Sequence, residues 1–512
     1  MAARHRTGQS LRARARPQEG AVARARDAVL RAAAVNAGKE ARRLARALGR
    51  GGGTSLPGLL AERILPGLSG ELAAELPLGC VLISGTNGKT TTTRLLAEAE
   101  RRAGRNVLSN REGSNLLRGI ATTLVDWADR AGHLSCGPAG IGVFEVDEGA
   151  LPGAIALLCP RMVVITNLFR DQLDRYFEVD FIARLWSKAL ERLPPDATLV
   201  LNADDPAVAF LGEARPGEVV YYGLEDARHA HIGLEHVADS RRCPRCDVDL
   251  RYERTFYAHL GRYACERCGW HRPSPQVAAS HVELTSLEGG RLEVATPWGN
   301  HRYTLHLAGL YNIYNALAAV AAAGALGLDA HTTEQALASA RAAFGRLEQV
   351  AIGDKRAYLV LVKNPSGFNQ ALRLLLDEGG DREPTGLLLA LNDNGPDGRD
   401  VSWIWDVDFE RCRDPRVGFV VAAGARAWDL ALRLEYAGLP RALAAEEDGG
   451  APVVVVEDVV SAFQTALART PPGGTLYVLP TYTAMWTLRE QLVAEGRLKP
   501  FWQDQPQSAG RG

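Results

Sequence analysis

Three groups of residues in this chain have the types and spacing that chemistry requires. They are a glycine-bracketed lysine at Gly85–Lys89, two Cys-x-x-Cys pairs between Cys243 and Cys268, and a loop dense in Asp and Trp from Asp393 to Asp406. The first reads VLISGTNGKTTTT over residues 81–93. Gly85 and Gly88 let the backbone turn tightly enough to enclose an anion. Lys89 is placed to neutralise the β/γ-phosphates of a nucleotide, and the hydroxyl of Thr90 or Thr91 to hold Mg²⁺. The spacing, GxxGKT, is two residues shorter between its glycines than the usual GxxxxGK[ST] loop.

The second group, CPRCDVDLRYERTFYAHLGRYACERCGW, holds two knuckles separated by eighteen residues. Each knuckle lets two thiolates converge on one cation. Two of them, Cys243 with Cys246 and Cys265 with Cys268, complete a closed four-sulfur site, the structural form of zinc binding. A ribbon of this length gains its folding energy from the metal. Arg241, Arg242, Arg245, Arg251, Arg254, Arg262 and Arg267 surround it, so a nucleic-acid-binding ribbon is carried as a competing reading.

The elements that must position these groups alternate. Val81–Ser84 reads as a short buried strand, and Thr90–Glu100 as a helix whose N-terminus favours phosphate. Strands follow at Asn106–Ser109, Gly142–Val146, Arg161–Thr166 and from Leu199, separated by helical lengths, which predicts parallel pairing in a doubly wound sheet. Acidic residues at strand ends are candidate metal ligands. Glu145 is placed first for Mg²⁺, with Asp147 and Glu148 next, and Asp204 and Asp205 follow another strand. The sequence is expected to resume this domain at His306, after the cysteine insertion. A second α/β run begins at Tyr358 with five apolar strands, the last of them TLYVLP. Asp393, Asp397, Asp400 and Asp406, with Trp403 and Trp405, lie beyond the second of those strands, a loop composition that points to function.

At 512 residues the chain has length for two or three domains with separate cores. A formal charge of -1 argues against wholesale nucleic-acid binding. No apolar run reaches the ~18 residues of a membrane span, and the start lacks the apolar core of a secretory signal. Cys80, Cys136, Cys159 and Cys412 are scattered singly, as reduced thiols of a cytoplasmic protein are. The first fifty residues hold thirteen Arg and Lys against three acidic groups. Ala21–Leu48 is Ala-rich and can form an amphipathic helix, either a solvated arm or a segment drawn to anionic lipid at the inner face of the membrane. Gly49, Gly51, Gly52 and Gly53 read as a linker.

GTNGKTTT resembles the nucleotide loop of the Mur ligase superfamily, the ATP-dependent enzymes that build the peptidoglycan stem peptide, together with the folylpolyglutamate synthetases. NLFRDQLDRYFE from Asn167 resembles the ligase segment in which an Asn and a downstream His sit near the nucleotide and a second metal. Here Gln172 stands where many ligases have the His, between Asp171 and Asp174. GLYNIYNALAA resembles the motif whose asparagines, here Asn312 and Asn315, meet the adenine. FGRLEQV resembles the domain-boundary motif whose Arg, here Arg346, reaches the phosphates. Asn364 belongs to a segment, NPSGFNQAL, in which Lys363 displaces the usual His.

Three features depart from an amino-acid-adding ligase: a basic arm in place of a uridine-nucleotide domain, the four-cysteine insertion, and LNDNGPDGRDVSWIWDVDFE in the last domain. In combination they resemble the MurT family, the ligase-like subunits of lipid II isoglutaminyl synthase. The resemblance implies an α/β fold with a Mur ligase central P-loop domain, an inserted four-cysteine zinc ribbon and a Rossmann-like C-terminal domain. The segments are 1–54 (basic arm and linker), 55–345 (central ATP-binding domain, ribbon at 240–272), 346–500 (C-terminal, partner-binding) and 501–512 (tail).

The resemblance also implies ATP-dependent amidation of the α-carboxyl of D-Glu at position 2 of the lipid II stem peptide. Its cofactors are ATP, Mg²⁺ and Zn²⁺, and its ammonia comes from a GatD-type glutaminase partner. Gly85, Thr86, Asn87, Gly88, Lys89, Thr90, Thr91, Asn167, Asn312, Asn315 and Arg346 are then expected at ATP, and Thr90 and Glu145 at magnesium. Asp400, with Asp397 as the fallback, is expected to orient the partner's catalytic His. Two other classes remain: an amino-acid-adding Mur or folylpolyglutamate-type ligase, and a non-enzymatic zinc-ribbon binder of nucleic acid.

Overall fold

The run CVLIS is almost wholly apolar because both of its faces are covered: Cys80–Ser84 is a fully buried strand, β1, in the interior of a large sheet, between two neighbouring strands. The computed structural model describes residues 17–47, 55–110, 113–170, 179–213, 215, 217–232, 239–341, 346–376, 385–441 and 453–499. The chain forms two units, one of residues 1–79 with 108–142, the other of residues 80–107 with 143–512.

The first unit is helical. Helix α1 (Pro17–Ala47) packs against α2 (Leu56–Ile64) and against the helix Leu117–Trp127, which also carries Leu68–Ala73. Small residues permit the close approach. Ala34, Val35, Gly38 and Ala45 are buried along α1, and a Cβ on Gly58 would lie 2.4 Å from the Arg118 carbonyl and 2.5 Å from the Thr122 nitrogen. The basic residues of α1 are partly turned inward. Arg31 donates to the Gly132 carbonyl at 2.8 Å and pairs with Glu75, Arg42 pairs with Asp126, and Lys39 donates to the Ala128 carbonyl. Burial lowers the Lys39 pKa, opposed by Asp129. The helix expected in the basic segment therefore directs much of its charge inside its own unit, and packing groups it with residues 55–79 across the boundary drawn at 54. The glycine stretch 49–53 lies outside the described residues.

The second unit holds a hairpin, one whole sheet and all of the larger sheet except Leu108 of β2 and residues 140–142 of β3. Strands β2 (Asn106–Leu108), β3 (Gly140–Glu145), β4 (Met162–Ile165), β5 (Thr198–Asn202), β6 (Val219–Leu224), β9 (Val277–Thr285), β10 (Gly289–Thr296) and β11 (Gly299–Leu305) join β1 in the order β11-β10-β9-β6-β5-β4-β1-β3-β2. Pairing is parallel from β1 through β4, β5 and β6 to β9, with Val81 opposite Met162, and antiparallel along β9, β10 and β11. The domain thus resumes at Val277, not at His306. The missed strands are half-buried, so their apolar residues alternate with polar ones instead of forming the continuous run that marks a central strand. Between β6 and β9, β7 (Arg251–Tyr257) and β8 (Leu260–Ala264) pair as a separate antiparallel hairpin.

The other sheet runs β12-β13-β17-β14-β15-β16, from β12 (Arg346–Ile352), β13 (Lys355–Val360), β14 (Thr385–Ala390), β15 (Val417–Ala423), β16 (Val453–Val456) and β17 (Thr475–Pro480). The five expected strands pair in parallel, and β12 is added antiparallel at the edge. Its two faces carry separate apolar cores, one with Phe368, Leu372, Leu430 and Leu434, the other with Phe463, Met485, Leu488 and Leu492. This doubly wound layering puts the loops after β13 and β14 at the carboxyl ends of their strands, where such sheets bind ligands.

Gly58→Val tests the helical unit: the backbone of the facing helix cannot yield, so thermal or urea unfolding is expected to show a loss of about 3 kcal/mol or more.

Candidate active site

The loop after β1 is held in shape mainly by the end of β4. Thr86 N–H donates to the Asn167 carbonyl at 3.0 Å, Asn87 N–H to Asn167 Oδ1 at 2.8 Å, and Asn167 Nδ2 to the Asn87 carbonyl at 3.0 Å. Thr166 Oγ1 adds a bond to the same carbonyl at 2.7 Å. The Thr86 hydroxyl donates to the Phe169 carbonyl at 3.0 Å and accepts the Phe169 N–H at 2.9 Å. Gly85 and Gly88 have φ of +135° and +87°. A Cβ would stand 2.1 Å from Thr166 Oγ1 at the first and 1.9 Å from Asn315 Oδ1 at the second. Glycine is needed at both positions for conformation and for space.

Lys89 opens the helix Lys89–Arg102, yet its side chain folds back into the loop. Its ammonium, 7% exposed, donates to the Gly85 carbonyl at 2.5 Å, the Thr86 carbonyl at 3.1 Å and Glu148 Oε2 at 3.0 Å. Glu148 is 4% exposed, and its own carbonyl accepts the Trp186 indole N–H at 2.9 Å. Of the acidic candidates after β3, Glu148 is brought onto the lysine, and Glu145 is buried at the strand end. No spacing signal ranks the two, because contact across the sheet depends on how the turn 146–150 folds. Thr91 is buried and Thr90 half-buried.

Asn312 and Asn315 share a face of the helix Leu310–Ala325 and bond each other, Asn315 Nδ2 to Asn312 Oδ1 at 3.0 Å, with Asn312 Nδ2 also on the Ala308 carbonyl at 2.8 Å. Asn315 abuts Gly88. Arg346 begins β12, and its side chain, like Asp171, Gln172 and Asp174, lies outside the described residues. Asp204 and Asp205 have structural partners. Asp204 accepts Arg272 Nε, the Tyr314 hydroxyl at 2.6 Å and the Leu224 N–H at 2.8 Å. Asp205 accepts Leu168 N–H at 2.8 Å and caps Pro206–Phe210.

The four cysteine sulfurs lie within 4.8 Å of one another, with Cys243 to Cys268 at 3.6 Å and Cys246 to Cys265 at 3.4 Å. A tetrahedron of Zn–S bonds has edges of about 3.8 Å, and four thiols converging at this range are a donor set of the kind that ion takes. Each knuckle closes alike: Asp247 N–H returns to the Cys243 carbonyl and Gly269 N–H to the Cys265 carbonyl, both turning residues at positive φ. Backbone N–H groups of Cys268 and Arg267 draw the Cys265 thiol down to about 6. The hairpin tip below the cluster reaches the nucleotide loop's neighbours. Phe169 stacks on Tyr257 and meets the tilted ring of His259, with centroids at 5.9 and 4.6 Å, and His259, fully buried, faces Asp205 at 3.3 Å.

In the last domain, Asp397 is buried and occupied: it accepts Thr483 N–H at 2.8 Å and the Thr483 hydroxyl, fixing the start of the helix Tyr482–Ala494. Asp400 is exposed. It accepts Ser402 N–H at 2.8 Å, and the Ser402 side chain and backbone hold its carboxyl below the usual range. Asp393 lies 3.8 Å from Arg426, and Asp406 Oδ2 lies 3.0 Å from Arg170 Nη2. Asn364 Nδ2 donates to Asn87 Oδ1 at 3.2 Å, a contact between the last domain and the phosphate loop that the motifs do not indicate.

The buried Lys89–Glu148 pair generates a prediction. Glu148→Ala leaves a buried ammonium without its carboxylate and is expected to cost about 3 kcal/mol or more in urea unfolding. Glu148→Ala combined with Lys89→Ala is expected to cost less than the sum of the two single changes.

The Mur ligase middle domain matches residues 83–251, and the MurT ligase C-terminal domain matches residues 361–485. Among solved structures, a pseudomurein peptide ligase type C from Methanothermus fervidus superposes with TM-score 0.61 at 23% identity, over 81% of this chain and 78% of that one. MurF ligase from Thermotoga maritima in complex with ADP superposes with TM-score 0.58 at 13% identity, over 85% and 84%. These likenesses show the fold. The lipid II isoglutaminyl synthase (glutamine-hydrolyzing) subunit MurT of Streptococcus pneumoniae is 35% identical over 450 residues, 87% of this chain and 93% of that protein. Its counterpart in Staphylococcus aureus strain COL is 32% identical over 460 residues, 90% and 97%. With the Mur ligase architecture, the phosphate loop and the Asp-rich loop all in place, this chain belongs to the MurT family, the ligase subunits of lipid II isoglutaminyl synthase.

Proposed function

We propose that this chain activates the α-carboxyl of D-Glu at position 2 of the lipid II stem peptide with ATP and delivers it to ammonia made by a GatD-type glutaminase subunit, giving D-isoglutamine. A carboxylate is a poor electrophile. Its oxygen attacks the γ-phosphorus of ATP and ADP leaves, giving an acyl phosphate; ammonia then attacks the carbonyl carbon, phosphate leaves, and a proton passes to solvent. The observation that carries this reading is the buried Lys89 in its glycine-bracketed loop, with its ammonium already aimed at loop carbonyls. Asn167 shapes that loop, Asn312 and Asn315 stand behind Gly88 for the adenine, and Arg346 is assigned to the phosphates. Thr90 and Glu145 are the residues that would hold Mg²⁺, whose charge offsets that of the phosphates.

The cysteines support an external nitrogen source. Burial pushes the Cys80 and Cys412 thiols up to about 12, away from thiolate chemistry, and raises that of Cys136. Cys243, Cys246, Cys265 and Cys268 are committed to their cluster, which we assign to one structural Zn²⁺. Cys159 is exposed at the end of the helix Leu151–Leu158 and is given no role; the glutaminase nucleophile is assigned to the partner, and the C-terminal domain, residues 346–500, to docking it. Asp400 is the better choice for orienting the partner's histidine, because an exposed, ionised carboxylate can accept an imidazole N–H, whereas Asp397 is consumed by its helix cap. Since Asp400's pKa is depressed, its charge persists as pH falls through the ordinary carboxylate range and is lost only below it. Among the described residues no helix is long and apolar enough to cross a membrane. Lipid II is then met at the membrane surface.

The chain with a glutaminase, lipid II, ATP, Mg²⁺ and glutamine is expected to yield the carboxyl-to-amide mass change, and the chain with glutamine alone is not. Asp400→Asn should spare amidation driven by ammonium salts and abolish the glutamine-driven reaction; loss of both, or of neither, removes Asp400 from this role. Elemental analysis should find one zinc per chain, lost in Cys246→Ser together with a lower melting temperature.

A further inference from the structure

Arg170 joins three elements. Its N–H donates to Asp239 Oδ2 at 2.9 Å, its Nε pairs with the same carboxylate, and its Nη2 lies 3.0 Å from Asp406 Oδ2. Asp239 leads into the cysteine cluster, and its own N–H donates to His259 Nδ1 at 3.3 Å. Asp406 ends the 3₁₀ turn Ser402–Asp406, whose first N–H holds Asp400. A guanidinium fork can satisfy two carboxylates at once, a geometry lysine cannot reproduce.

On its other side Arg170 follows Phe169, which exchanges two hydrogen bonds with the Thr86 hydroxyl. The Thr86 carbonyl is in turn among the acceptors of the Lys89 ammonium, with the Gly85 carbonyl and Glu148. An ammonium has three protons, so a phosphate at this loop must draw Lys89 away from an acceptor it now holds. One of those acceptors, the Thr86 carbonyl, belongs to the residue bonded to Phe169, and the Gly85 carbonyl lies next to it in the chain. The second polar link from the last domain, Asn364 to Asn87, also lands on the phosphate loop.

We infer that Arg170 is a positioning residue whose ion pair with Asp406 ties the set of the nucleotide loop to the loop that bears Asp400. Nucleotide binding then alters how firmly residues 400–406 are held, and removing either partner separates the two loops without removing a nucleotide contact. The consequence for glutamine hydrolysis rests on the reading of Asp400 given above; the link itself does not.

Hydrogen exchange of residues 400–407 in the full chain, with and without a non-hydrolysable ATP analogue and Mg²⁺, tests the link. In the unsubstituted chain the analogue is expected to change exchange there by about five-fold or more, the scale of ordinary coupling. Arg170→Ala and Asp406→Asn should abolish that change while analogue affinity shifts by no more than the same factor, the bound that linkage sets. Asp406→Glu should restore part of it. No change in the unsubstituted chain, or a change that survives in both variants, overturns the inference. In the complex, the glutaminase rate should depend on the analogue with Arg170 present and lose that dependence in Arg170→Ala. Coupling seen by exchange with an indifferent glutaminase rate upholds the link and counts against Asp400 as the partner's orienting group.

Discussion

A lysine at 7% exposure is the constraint around which the nucleotide domain is arranged. Lys89 can leave water only if its protons find acceptors, and the loop supplies two carbonyls while Glu148 supplies the counter-charge. Those carbonyls point inward because Gly85 and Gly88 adopt positive φ, and that path is fixed by Asn167, which donates to and accepts from Asn87 with one amide. The helix carrying Asn315 then closes against Gly88 at a distance that excludes any side chain there. Glycines, Asn167 and Asn315 thus hold the loop in one shape, and such preorganisation is what electrostatic stabilisation of a phosphoryl group requires.

The cysteine module is welded to the same region instead of hanging from it. Arg272 from beyond the second knuckle reaches Asp204 and Glu225, the Tyr263 hydroxyl reaches the Ala203 carbonyl at 2.9 Å, and the buried tip residues Tyr257 and His259 lie against Phe169. Tyr257 also meets Tyr314 edge-on at 5.6 Å, on the helix that carries the asparagine pair. Basic residues around the knuckles find acidic neighbours: Arg245 pairs with Glu213, Arg262 with Glu225, and Arg242 with Asp247 at 2.8 Å. This local neutralisation disfavours the nucleic-acid reading, which needs those charges turned outward together.

The last domain shows how two aspartates three residues apart acquire different work. Gly398 turns the chain at φ +87°, so Asp397 faces back toward Thr483 and Asp400 faces out. Thr483 engages both oxygens of the first, whereas the second bonds Ser402 and stays exposed.

Local chemistry that is complete within a few residues was legible in the sequence. The strand–loop–lysine–helix unit, both knuckles and the five parallel strands of the last domain could be read because continuous apolar runs, paired glycines and Cys-x-x-Cys spacing each have a near-neighbour cause. The half-buried strands β9 to β11 were missed because alternation with polar residues is a weaker signal than a buried run. The basic segment of α1 was legible as a helix, yet its partners, Glu75 and Asp126, lie far along the chain. Tertiary structure alone decided that Glu148 meets Lys89, that Asp204 and Asp205 hold the cysteine module, and that Arg170 bridges Asp239 to Asp406. A charge's partner is set by where folding brings distant chain segments, and spacing along the chain carries no record of that distance.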